Sequence, residues 1–163
     1  MITLPPGTYW TMVKSKDNSA GVAVAELSDL SEGTGLEIVS LSGRGLIQSE
    51  DNVVMSDFTV EGDTASNLII RALGPSLNNS GAANMVSDPV LELYDENGSI
   101  LSTNDNWQEN AEQANQIMAR GLAPADSAEA AMVVSLSPGN YTAVIRGKNN
   151  TTGVASLEVY KLP

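Results

Sequence analysis

Apolar residues recur along this chain in short runs with a period of two. Leu36 to Ser42 (LEIVSLS), Val53 to Val60 (VVMSDFTV) and Val90 to Tyr94 (VLELY) mix apolar with polar positions, and each lies close to Gly, Asn, Asp or Pro. That pattern predicts strands with one face inward. Asn67 to Leu73 (NLIIRAL) and Glu129 to Leu136 (EAAMVVSL) are more continuously apolar, and the first ends in Gly74-Pro75. Asp95-Glu96-Asn97-Gly98 supplies a hairpin turn with the favoured Asn-Gly pair, from which Ser99 to Ser102 returns. One stretch departs from this rhythm. Trp107, Ala111, Ala114, Met118 and Leu122 are spaced by three and four, which predicts a helix. Asn104, Asp105 and Asn106 offer N-caps, Gly121 a C-terminal cap, and Pro124 lies beyond. About ten short strands with one short helix predict an all-β fold, an antiparallel β-sandwich of jelly-roll type.

The end of the chain is written a second time at its start. Leu136 to Leu162 reads LSPGNYTAVIRGKNNTTGVASLEVYKL, and Leu4 to Leu30 reads LPPGTYWTMVKSKDNSAGVAVAELSDL. Leu4, Pro6, Gly7, Tyr9, Lys16, Gly21, Val22, Ala23, Glu26 and Leu30 fall on Leu136, Pro138, Gly139, Tyr141, Lys148, Gly153, Val154, Ala155, Glu158 and Leu162. Each copy reads as a β-hairpin: a Pro-Gly turn, an alternating strand, a polar loop bounded by glycine, and a second strand. A hairpin alone is marginal in water and needs a larger sheet. The repeat distance far exceeds the roughly 20–50 residues of solenoid and propeller units. It implies whole domains in tandem: residues 1–31 as the end of a preceding repeat or an exchanged hairpin, and 32–163 as one complete sandwich. The rival reading places both hairpins in one sandwich. Tyr9, Trp10, Met12, Val13, Val22 and Val24 are the expected assembly residues of the first copy.

Charge and composition narrow the partners. Twenty acidic residues against eight basic ones give a net charge of −12. No basic stripe exists to bind nucleic acid or an anionic membrane surface. The acidity favours solubility and attracts cations, Ca²⁺ among them. With no Cys and no His, thiolate and imidazole metal sites and every nucleophile–His arrangement are excluded. Met1 is followed by neither a basic region nor the apolar run of a secretory leader. No stretch approaches the roughly 18 apolar residues of a membrane span. The chain therefore reads as cytosolic or as an internal piece of a larger protein.

The blocks LIIRALGPSL, LELYDENGSILSTNDNW, ARGLAP and LSPGNYTAVIRGKNNTTGVASLEVY, in this order, resemble a β-sandwich domain repeated in tandem in very large secreted or surface proteins of bacteria. LSGRGLIQSEDNVVMSDFTVEG resembles that family's opening strands, so the resemblance covers Leu36 to Tyr160. It implies an extracellular or cell-surface location and no catalytic activity. More distantly, LYDENG, LSPGNYTAVI and LEVY resemble the pre-peptidase C-terminal modules, non-catalytic appendages of secreted enzymes and adhesins, some of which bind sugar or Ca²⁺.

Several residues are candidates for chemistry. Asp95, Asn97 and Ser99, with Asn104 and Asp105 nearby, offer oxygen ligands to Ca²⁺. The same residues also read as a hairpin turn and a helix cap. Trp107 and Trp10 offer faces for stacking a sugar, although Trp107 lies on the apolar stripe and reads as packing. Arg71 sits in an otherwise buried strand and needs a carboxylate or several carbonyls if it is inside, with Glu92 or Asp57 as the expected carboxylate. No pair of acids is singled out for glycoside hydrolysis. The expected function is a non-catalytic extracellular structural module of a surface or filament protein. It would associate head to tail with copies of itself or adjacent repeats, through hairpins that cover sheet edges. The alternative is an adhesion or accessory module that binds carbohydrate or Ca²⁺.

Overall fold

A computed structural model describes residues 2–17, 19, 21–29, 39–48, 52–80 and 83–163. The chain divides into two units, Met1–Ile38 and Val39–Pro163. Leu36 to Ile38, the start of the first predicted strand, lie outside the described residues.

The described residues of the larger unit form eight strands: β1 (Ser40–Ile47), β2 (Val54–Val60), β3 (Ser66–Leu73), β4 (Pro89–Asp95), β5 (Ile100–Asn104), β6 (Ala130–Leu136), β7 (Gly139–Gly147) and β8 (Gly153–Lys161). They form two antiparallel four-stranded sheets, in the orders β1-β8-β3-β6 and β2-β7-β4-β5. β1 pairs with β8, β2 with β7, β3 with β6 and β4 with β5. This nested pairing is one long hairpin rolled over itself, the strand order of a jelly roll. The all-β sandwich expected from the alternating pattern is therefore present.

Between the sheets lie Leu68, Ile70 and Ala72 of β3, Leu91 and Leu93 of β4, Met132 of β6, Ala143 and Ile145 of β7, and Ala155 and Leu157 of β8. Each fully buried aliphatic side chain contributes about 1.5–3 kcal/mol. A second, smaller cluster explains why β3 reads as continuously apolar. Ile69 and Ala131 project from the opposite face of the first sheet and pack against Trp107, Ala114 and Ile117. β3 is covered on both faces, so its alternation is erased.

The helix is shorter than its apolar stripe. α1 spans Ala111–Ala119, and its N-cap is Asn110, whose side chain accepts from the backbone N–H groups of Glu112 and Gln113. The expected caps at Asn104–Asn106 do not serve this helix, and Trp107 lies ahead of it. At the other end Gly121 has a φ of +68°. Its N–H donates to the Met118 carbonyl, and the Leu122 N–H to that of Ile117. This is a Schellman cap, and Leu122 packs against the second cluster, to which Ile117 belongs.

One expectation is corrected in kind. β7 and β8 do not pair with each other; they lie in different sheets. The repeated unit is an arch across the core, not a hairpin within a sheet. Both of its strands are interior: β8 lies between β1 and β3, and β7 between β2 and β4.

In the smaller unit, none of the described residues from Ile2 to Asp29 lies in a strand, and their side chains are exposed. Its Pro-Gly turn is nevertheless the same turn. The Tyr9 hydroxyl donates to the Pro5 carbonyl at 2.7 Å, and the Tyr141 hydroxyl to the Ser137 carbonyl at 2.8 Å. In both copies the tyrosine ring folds back over the glycine of the turn, Gly7 or Gly139.

Candidate functional site

Several polar clusters sit on this frame among the described residues, and contacts within the fold engage them. Arg71 projects from β3 onto the outer face of the first sheet. Its Nε donates to Glu158 of β8 at 2.9 Å, and Nη2 forms a close ion pair with the same carboxylate. Nη1 donates to the Leu122 carbonyl at 2.7 Å, and the guanidinium lies over the Tyr160 ring, 5.1 Å from its centroid. Burial, with Glu158 beside it, raises the Tyr160 phenol above its ordinary value. The expected partners of Arg71 are committed elsewhere. Glu92 accepts from Arg146 Nε at 3.0 Å and from the Tyr94 hydroxyl at 2.7 Å. Asp57 accepts from the Thr142 hydroxyl at 2.6 Å. Both belong to the second sheet.

Glu129 was not singled out by its sequence context, and it is the most deeply buried acid among the described residues, at 0% exposure. Its Oε1 accepts from the backbone N–H groups of Gly74 and Ser76, both at 2.9 Å, and from the Ser76 hydroxyl at 2.6 Å. The carboxylate thereby ties the end of β3, and the 3-10 turn that follows at Pro75–Ser80, to the start of β6. The only hint in the sequence is an acid directly before an apolar run.

The proposed cation ligands do not converge. Asp95 Oδ1 accepts from the backbone N–H groups of Asn97 and Ser99, at 2.9 and 2.8 Å. Its carboxyl is held below the ordinary range, chiefly by the Ser99 bond. That is the turn reading of Asp95, Asn97 and Ser99. Asn104 lies at the far end of β5, opposite Leu91, roughly 13 Å along the strand from Ile100. There Asn104 Oδ1 accepts from the Ala131 N–H at 2.9 Å, while Gln113 Oε1 accepts from the Val133 N–H at 3.1 Å. These two side chains satisfy donors on the outer edge of β6 and protect it from stray pairing. Among the described residues, no three acidic side chains gather closely enough to hold a metal ion.

Asp105 is paired instead with Lys148, from the loop between β7 and β8, at 2.5 Å, and Asp88 lies 3.5 Å from the same ammonium. The Lys148 hydrogen bond is the main cause that lowers the Asp105 pKa, and Asp105 in turn raises that of Lys148. A lowered carboxylate favours folding above the ordinary carboxylate range, and this is lost as pH falls through the lowered value; a raised amine loses its contribution as pH rises through the raised one. Lys148→Met therefore shifts the Asp105 titration upward, and the stability gap to the parent closes in both acid and strong alkali. NMR titration of the Asp105 carboxyl checks this, and an unmoved titration contradicts it.

Trp107 is buried, and its indole N–H donates to the Asp126 carbonyl at 3.1 Å, so it packs. Trp10 is 84% exposed. Two depressions formed by the described residues have volumes of about 220 and 190 Å³, below the roughly 300–1,000 Å³ of small-molecule pockets. The first is lined by Ile47, Gln48, Val53 and Arg146 among others, and the second by Asp95 to Asn97 and Pro138 to Tyr141.

Fold and side chains together define a jelly-roll β-sandwich module. No family model and no curated protein matches the chain. Among solved structures it is similar to the pre-peptidase C-terminal domain of a collagenase from Bacillus anthracis. That match has 15% identity over 74% of this chain and 89% of the other, with a TM-score of 0.46.

Proposed function

We propose that the chain is a non-catalytic structural and assembly module of an exported bacterial surface or filament protein, with adjacent repeats of its own kind as partners. The observation that carries this reading is the turn present twice, Tyr9 on Pro5 and Tyr141 on Ser137. A local geometry reproduced in both units supports reading the first segment as a piece of the same kind of module. The spending of Arg71, Glu92, Glu129 and Asp105 on internal contacts agrees with a scaffold role. Because both strands of the arch lie inside sheets, the association proposed is by strand insertion rather than by addition at an edge.

A glycan array combined with thermal unfolding in Ca²⁺ tests this. The structural reading expects no glycan binding by the 163-residue chain. A rise in melting temperature with Ca²⁺ alone would add a metal staple to the same reading. Glycan binding lost on Trp10→Ala would replace it with the adhesion reading.

A further inference from the structure

We propose that residues 4–29 are the terminal arch of a sandwich of this fold that precedes Val39–Pro163 in an array, and that Lys16, Gly21 and Glu26 are its docking residues. This rests on the module reading above and names the partner surface.

The residues shared by the two copies serve, in the larger unit, to join the arch to the rest of the sandwich. Glu158, the counterpart of Glu26, holds Arg71 of β3. Lys148, the counterpart of Lys16, reaches Asp88 and Asp105, and its backbone N–H donates to the Asp88 carbonyl at 2.8 Å. Gly153, the counterpart of Gly21, has a φ of +147°, and a Cβ there would lie 2.3 Å from the Asn84 carbonyl oxygen and 2.6 Å from the Val86 nitrogen. That close approach lets Val154 exchange backbone hydrogen bonds with Asn84 and Val86.

In the smaller unit, among the described residues, the reason for the glycine is missing. A Cβ at Gly21 would have nothing within 4 Å. A glycine that nothing nearby requires, aligned with one that close backbone contact demands, points to a docked state in which the contact exists. The inward positions agree. Tyr9, Val13, Ala23, Ala25 and Leu27 match Tyr141, Ile145, Ala155, Leu157 and Val159, which all face the main core. Tyr9, Val13 and Leu27 are 51%, 56% and 66% exposed. Trp10, Met12, Val22 and Val24 match Thr142, Val144, Val154 and Ser156, and so take the outer faces of the two sheets.

The topology selects the partner. An arch inserts between β1 and β3 in one sheet and between β2 and β4 in the other. In a copy of Val39–Pro163 its own β7 and β8 fill both places. The acceptor is therefore the β1–β6 portion of a preceding sandwich, not a second intact copy.

The test supplies that acceptor to the full chain: residues 39–135 joined directly to residues 4–163. A control joins 39–162 to 31–163, so that the first sandwich has the arch seen in this structure. We expect two folded sandwiches in both chains. Glu26→Ala should lower the first melting transition and leave the second unmoved. In the 163-residue chain the same substitution should change nothing. Val13→Asp with Leu27→Asp should abolish the first transition. If the control shows two transitions and the test chain one, or if Val13→Asp with Leu27→Asp leaves the first transition intact, the assignment is overturned. Glycan binding would sink the module reading without touching these transitions.

Discussion

Glu129→Ala lowers the unfolding free energy by about 3–5 kcal/mol, because it removes the shared acceptor of one buried and two part-buried donors at once. The backbone N–H groups of Gly74 and Ser76 and the Ser76 hydroxyl all end on one carboxylate oxygen. Two of those donors open the 3-10 turn at Pro75–Ser80. Glu129→Gln keeps an acceptor in the same place and forfeits only the charge assistance, so its cost is about 1–2 kcal/mol. For a unit of this size the alanine variant corresponds to a fall in melting temperature on the order of 10–20 °C. Denaturant unfolding of the parent and both variants measures it. Equal losses for Ala and Gln would mean that the charge, and not the acceptor, holds the turn.

Arg71→Ala is the second large effect, about 3 kcal/mol, the low end for breaking a buried ion pair. It leaves Glu158, whose side chain is 15% exposed, with only the Tyr160 hydroxyl at 2.9 Å. It also removes the donor to Leu122, the residue that closes the cap of α1. Arg71→Met together with Glu158→Gln should recover most of the loss, since an apolar replacement of similar volume costs little once the second charge is gone. The double variant and the two single ones, compared by chemical unfolding, give the coupling between them. Additive losses would contradict a shared ion pair.

The strands were readable because alternation survives wherever one face is wet, as in β2 and β4. It also survives in β7 and β8, and that is why the arch was misread. Tyr141, Ala143 and Ile145 present the same alternation whether the next strand returns beside them or crosses to the other sheet. Nothing in the loop from Gly147 to Gly153 distinguishes the two cases locally. The helix start was misplaced because three good capping residues stand in a row before Asn110; Asn104 is spent on the edge of β6 instead. The partner of Arg71 was hidden by sequence distance, since Glu158 becomes its neighbour only when β8 lies beside β3. The expected cation ligands have separate duties: Asp95 holds its own turn, Asn104 the edge of β6 and Asp105 the Lys148 ammonium. Turn signals such as Asp95 to Ser99 were legible as turns, and their oxygen atoms are used as such.

The repeat was visible from the first residues, but its meaning depends on the position of its counterpart. A hairpin added at an edge would need one open strand. An arch of two central strands needs two open sheets, which the proposed acceptor, the first six strands of a preceding sandwich, would offer. Hydrogen exchange reads this most directly. In the 163-residue chain, amides of Tyr9 to Val13 and Ala23 to Leu27 should exchange as fast as an open chain. With residues 39–135 joined ahead of Leu4, the same amides should become as slow as those of Tyr141 to Ile145 and Ala155 to Val159. Unchanged fast exchange in the extended chain would contradict the arch assignment.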